Sequence, residues 1–258
     1  MHPELGLPAL LMLLYGVCLR CRRRGRWPRV RTVWFALGCL LLAGALMPGM
    51  QAWSHASPSG HMAQHLLLGM FAPLPLMLGR PGTLILRCLS PLAARRWLGL
   101  LGSAPIRLLT HPVTALLLDI GGLYVLYLTP LFHRSLHDPL LHGWLMLHFV
   151  VAGYLYSWAI AGPDPAPYRP GFRLRLMVLF VGTAAHALLA KLMYGLAYPR
   201  GTGASLDELQ AAAKLMYYGG DLAELLLAVA LFHLWSQERQ RRLRPPADDL
   251  YPRPRLAG

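Results

Sequence analysis

Apolar runs of about 18 or more residues recur along the whole 258-residue chain, separated by short polar or arginine-rich stretches. A run of that length crosses the hydrocarbon of a bilayer as a helix, because there the backbone must satisfy its own hydrogen bonds. The pattern predicts spans near 4–20, 32–50, 61–79, 112–131, 142–161, 173–197 and 215–235. The fold class is therefore an all-α polytopic membrane bundle of seven transmembrane helices. Segment 84–104 is also apolar, but Ser90-Pro91, Arg87, Arg95 and Arg96 interrupt it. Arg87, Pro91 and Arg95 fall on one helical stripe, which predicts a broken helix lying in the interface instead of an eighth span. Residues 1–236 read as one membrane domain. Residues 237–258 read as a tail, and its Pro-rich, charged part from 244 predicts disorder.

Composition sharpens this reading. Hydrophobic residues make up 55% of the chain and charged residues 14%, where a soluble domain carries about a quarter charged. The net charge is +14, but it is not spread as a nucleic-acid surface would need. Loop 20–31 holds seven arginines, 80–107 five, 162–175 three, and the chain beyond 236 six. The alternate loops hold only Arg134, Arg200 and Lys214. Positive charge on every second loop predicts an outside N-terminus and a cytoplasmic C-terminus. The partner is the lipid bilayer, not nucleic acid. The first apolar run has no basic stretch before it and no small-residue cleavage site, so it is expected to stay as a span.

Histidine carries the candidate chemistry. Under this topology His2, His55, His61, His65, His133, His137, His142 and His148 map to the outer face or the first turns below it, eight of eleven histidines. Anchoring at the headgroups is done more cheaply by Trp, Tyr, Lys or Arg. His61 and His65 are i, i+4 on one helical face, and His142 and His148 open another span. At 1.5 Å per residue, His65 is about 6 Å deep and His148 about 9 Å, so two helices offer imidazoles at similar depth. His61, His65, His142 and His148 are the candidate metal ligands, with His55, Met62 and His186 in supporting places. Imidazole with thioether suits copper, and the shortage of nearby carboxylates argues against calcium or magnesium. Paired imidazoles from facing helices also suit a b-type haem, with His65 and His148 as axial ligands. Cys18 and Cys21 form a lone CxxC on the reducing side, where a disulfide is not expected.

Asp119, Lys191, Asp221 and Glu224 lie within predicted spans, where ionised groups face a partner or a cavity. Lys191 and Asp221 are each about 9 Å deep, which predicts an interhelical pair; His186 and Glu224 are each near 14–16 Å. These groups read equally well as a pin between helices and as a relay. No P-loop, dinucleotide, nucleophile-elbow or zinc-protease motif is present, and no nucleophile–base pair, so a catalytic role is not expected.

The stretches HMAQHLLLGMFAPLPLMLG with GRP after it, LTHPVTALLL, HGWLMLHFVVAGYLYSW and YYGGDLAELL resemble the seven-span cytochrome c oxidase assembly factors of the caa3 CtaG type. The resemblance runs from about residue 50 to 236. It rests on His61, Met62, Gln64 and His65, on His142 and His148, and on Gly219 and Gly220. It implies a bacterial plasma-membrane protein that helps copper reach cytochrome c oxidase, working with oxidase subunits and with another copper chaperone. Asp221 and Glu224 depart from the apolar continuation expected after the Gly-Gly pair. A transporter that carries metal across the bilayer is the remaining alternative, although below His186 only Asp119 continues a path of ligands.

Overall fold

A computed structural model describes residues 6–23, 25–166 and 168–243. His2 and the tail from 244, where disorder is expected, lie outside the described residues. The described residues are helical, with no strand among them. In order they form α1 Gly6–Cys21, α2 Arg29–Leu46, α3 Pro48–Ala56 and α4 Pro58–Leu66. One π turn, Leu67–Phe71, carries α4 on into α5 Pro73–Leu78. Then come α6 Pro81–Cys88, α7 Pro91–Leu101, α8 Ala104–Leu109 and α9 Pro112–Leu116. A second π turn, Leu117–Gly121, joins α9 to α10 Gly122–Leu128. The described residues finish with α11 Leu131–His137, α12 Pro139–Ala161, α13 Phe172–Leu196 and α14 Leu206–Leu243.

Proline decides most of these boundaries. It fits the first turn of a helix, where its missing N–H costs nothing, and it forces the residue before it out of the helical region. Met47, ahead of Pro48, is extended with ψ at 144°. The run expected as one span over 32–50 is therefore cut into α2 and α3. The 84–104 segment is likewise split, at Ser90 and at Ser103, and no residue of α7 is buried.

Four helices are long and apolar enough to cross a membrane: Arg29–Leu46, Pro139–Ala161, Phe172–Leu196 and Leu206–Gln240. Two bent pairs bring the number to six: Pro58–Leu78 with Pro81–Cys88 at 44°, and Pro112–Leu128 with Leu131–His137 at 79°. The first apolar run forms a helix of only 16 residues, Gly6–Cys21. The molecule is thus a multi-pass helical membrane protein with four to six candidate spans, where seven were expected. Helix α14 extends at both ends beyond the expected 215–235. At its start Ser205 and Glu208 form a capping box, with the Ser205 N–H donating to the carboxylate at 2.8 Å. At its end the helix continues through Leu243, so residues 237–243 are helical and not part of an irregular tail.

Helices in lipid gain little from water exclusion against one another, so close packing and internal hydrogen bonds hold the bundle. Small residues provide the closeness. A side-chain carbon at Gly38 would strike Leu76, and one at Gly153 would overlap the Gly69 carbonyl in the first π turn. Polar ties fasten α1: the Tyr15 hydroxyl donates to Gly79 O at 2.9 Å and accepts from Trp27 Nε1 at 3.1 Å, while its ring stacks on Phe35 at 4.0 Å. The buried Asp164 carboxylate accepts from the N–H groups of Gly82 (3.1 Å) and Thr83 (2.8 Å), tying the 162–171 loop to the start of α6.

The expected Lys191–Asp221 pair does not form. Lys191 is exposed, with its ammonium over the Tyr217 ring at 5.6 Å, and the one ion pair among the described residues is Arg169–Glu238 at 3.8 Å. Equal depth places two residues in one plane of the membrane, but helical phase decides whether they face each other.

Candidate metal-holding site

Helices α3 and α4 form a tight corner, and the site is built on it. Ser57 ends α3 in an extended conformation, and its hydroxyl accepts from the Gly60 N–H at 3.0 Å, capping α4. Gly60 allows the corner: any side chain there would overlap the Trp53 carbonyl. From this start His61, Gln64 and His65 all project inward, at 5%, 2% and 4% exposure.

Gln64 fixes the helix between its neighbours. Its Nε2 donates to Ala45 O on α2 at 2.9 Å, and its Oε1 accepts from the Ser54 hydroxyl on α3 at 2.7 Å. The Ala45 carbonyl belongs to the last turn of α2, which has no intrahelical donor left for it. Both ends of the amide are thereby used, and the histidines on either side of it are held in place.

His61 and His65 open into one cavity of about 10 Å³, together with His142, Ser135, Met146, Leu145 and Phe149. That volume is about one water-sized sphere. Aromatic rings surround the imidazoles edge-on: Phe132 at 4.7 Å from His61, and Phe149 at 5.2 Å from His65. The Nε2 of His65 is buried without a hydrogen-bond partner, an arrangement that costs free energy unless something binds there. His142 is half-buried at the mouth, and its ring lies 5.1 Å from that of exposed His55. The histidines therefore run inward from His55 through His142 to His61 and His65.

His148 stands apart from this cavity. Its Nε2 is 3.1 Å from the Leu118 carbonyl in the second π turn, and its ring stacks on Trp144 at 5.3 Å. The Phe149 ring packs against both His65 and His148, and the cavity is far too small for a porphyrin between them. Met62 does not line the cavity and is buried in the core cluster that includes Leu189, Met193 and Met216. Met146, which stands two residues before His148, is the methionine that reaches the cavity. His186 is fully buried with both ring nitrogens unpartnered, pressed against Gly220, where any side chain would overlap its ring. Gly219 gives the same close approach to Leu66.

Asp119 and Glu224 are both 3% exposed and line a separate cavity with Tyr156 and Ser157. At the opposite end of the bundle the Cys88 thiol donates to Cys18 O at 3.1 Å, and Cys18, Cys21 and Cys88 are all free. Among the described residues no group of three or more His, Cys, Asp or Glu is arranged to hold a metal ion. The cavity as it stands offers two inner imidazoles, His61 and His65, with His142 at the rim.

The match to known proteins is decided by one comparison. The model of the cytochrome c oxidase caa3 assembly factor family matches residues 13–238. The chain belongs to that family. Bacterial relatives agree in extent: uncharacterized proteins of Mycobacterium bovis and Mycobacterium tuberculosis are each 34% identical over 239 residues, covering 85% of this chain and 36% of theirs. One of Mycobacterium leprae is 33% identical over 247 residues, covering 86% and 37%. The chain thus spans about a third of the length of the curated relatives it matches. No solved structure matches it.

Proposed function

We propose that this assembly factor holds copper at its histidine cavity and passes it to cytochrome c oxidase. It sits in the bacterial plasma membrane with seven spans, the short α1 helix being the first, and with the N-terminus outside. The observation that carries the reading is that His65, whose Nε2 is buried without a partner, lines with His61 and His142 a cavity sized for one small occupant. Cu(I) accepts two or three soft or borderline donors, and two imidazoles with a methionine thioether at the rim match that preference. His55 and His142, being nearer the surface, receive the ion, and it moves inward by exchange of one imidazole for the next. Coordination needs neutral imidazole, so holding weakens as the pH falls. The protein acts as a holder, not a catalyst, and its partners are oxidase subunits together with a copper donor at the outer face.

The test is made in cells lacking this protein and complemented with variants. His61→Ala/His65→Ala should be present at normal levels while the oxidase gains its haem but lacks copper and activity. Full oxidase copper in cells carrying that stably expressed variant would exclude the site.

A further inference from the structure

The cavity between the two π turns raises a separate question of charge. Asp119 sits at the centre of the turn Leu117–Gly121, and Glu224 reaches it from α14. Tyr156 and Ser157 of α12 complete the polar lining, while Gly69, Met70, Leu74, Ala223 and Leu227 close it. The cavity is about 20 Å³, again room for about one water-sized occupant. Both carboxylate oxygens of Glu224 and the Tyr156 hydroxyl are buried without a partner at hydrogen-bonding geometry, and the Thr183 hydroxyl of α13, which donates to the Leu179 carbonyl at 3.1 Å, also faces the Glu224 carboxylate. Gly182 leaves the space that the Tyr156 hydroxyl occupies. No Lys, Arg or His is among the described residues lining the cavity. Asp221 lies on the same helix as Glu224; His186 of α13 packs on Gly220, one turn before Glu224 on α14, and neither His186 nor His65 lines the cavity.

An ionised carboxylate in a dry interior costs several kcal/mol unless it is compensated, and two close together cost more. Intramembrane ionisable groups are kept for a function by default. A cation or protons must therefore neutralise this pair. All the donors are oxygen: two carboxylates, a phenol and a hydroxyl. Such a set favours hard cations and disfavours Cu(I). π turns also concentrate at functional sites, and here one presents a ligand and the other forms the opposing wall.

We propose that Asp119 and Glu224, with Tyr156 and Ser157, form an intramembrane site for a small hard divalent cation, which enters by displacing the protons carried by the carboxyl pair. Each O–H bond that breaks leaves its electron pair on the carboxylate oxygen and sends its proton to water. The metal–oxygen bonds then replace it. This site does not depend on copper binding at His61 and His65.

The experiment uses Mn²⁺ as the probe on the purified full chain, with free Mn²⁺ followed by electron paramagnetic resonance and protons by an indicator dye in weak buffer. One Mn²⁺ should bind with proton release, and more weakly at lower pH. Asp119→Asn and Glu224→Gln should each weaken it at least tenfold, Glu224→Asp should retain part of it, and His61→Ala/His65→Ala should leave it unchanged. Absence of saturable binding, binding that survives both carboxyl substitutions, or loss in the histidine variant would overturn the proposal. Should the carboxyl variants fail to fold, a hydrophobic carbodiimide applied to the wild-type protein decides the matter. It should label Asp119 or Glu224, and Mn²⁺ should protect. No labelling, or labelling without protection, overturns it.

Discussion

Gln64 joins three helices through one amide, so its replacement tests how the histidine cavity is held. Gln64→Leu keeps most of the volume and removes both hydrogen bonds. The Ala45 residue is fully buried, and its carbonyl has no other donor in the last turn of α2. Leaving a buried acceptor unsatisfied costs about 1–3 kcal/mol. The Ser54 hydroxyl loses its acceptor too, but it can turn back to a carbonyl of the preceding turn of α3, so its share is smaller. The expected loss is about 2–4 kcal/mol from these two terms together. Gln64→Glu keeps an acceptor for Ser54 but loses the donor to Ala45 and buries a charge, so it should do no better. Thermal or denaturant unfolding in detergent measures each variant, and Ser54→Ala completes a double-mutant cycle. The Ser54→Ala/Gln64→Leu protein should lose less than the sum of the single losses. Copper affinity should also fall in Gln64→Leu, although Gln64 donates nothing to the metal, because His61 and His65 flank it on α4. A Gln64→Leu protein within about 0.5 kcal/mol of wild type, or strictly additive losses, would refute the reasoning.

Three further predictions follow from particular contacts. Gly220→Ala should destabilise by about 1–3 kcal/mol, because its methyl meets the fully buried His186 ring; Gly16→Ala on α1, with open space around it, should be neutral or stabilising by up to about 1 kcal/mol. Comparison of their melting temperatures checks the sign. Lys191→Ala and Asp221→Ala should each cost under about 1 kcal/mol and add in the double variant, since Lys191 makes only a cation–π contact at the surface; a coupled loss would restore the pair. Alkaline phosphatase fused after residue 57 or 137 should be active and after 27 or 240 inactive; activity at 27 would reverse the orientation.

The apolar runs locate the four to six candidate spans of this chain, because hydropathy reports which segments suit hydrocarbon, while the expected seventh is only the short helix Gly6–Cys21. They do not report continuity. Pro48 cuts the apolar run 32–50 into two helices, Pro130 bends the chain where the run 112–131 ends, and the two π turns leave no mark in hydropathy at all. The capping box of Ser205 and Glu208 is visible as S-x-x-E and marks the true start of α14, nine residues ahead of the start that apolarity suggests. At the site, the i, i+4 spacing of His61 and His65 correctly places both on one buried face. Depth matching then misassigns His148, which is turned toward Leu118, just as it misassigns Lys191 and Asp221. Helical phase between different helices is set by packing, and a single sequence does not encode it as a period. Met146 in place of Met62 has the same cause. Gln64 stands in the family-like motif, but its role appears only once Ala45 and Ser54 are seen beside it.

The most direct test is a Cu(I) titration of the purified protein against a chromophoric chelator, with X-ray absorption at the copper edge on the loaded sample. The account predicts one Cu(I) per chain with nitrogen donors and a sulfur donor that disappears in Met146→Leu. It predicts loss of binding in His61→Ala/His65→Ala, weakening in His142→Ala, and no change in His148→Ala. Equal Cu(I) binding by wild type and His61→Ala/His65→Ala, or loss of binding in His148→Ala alone, would contradict it.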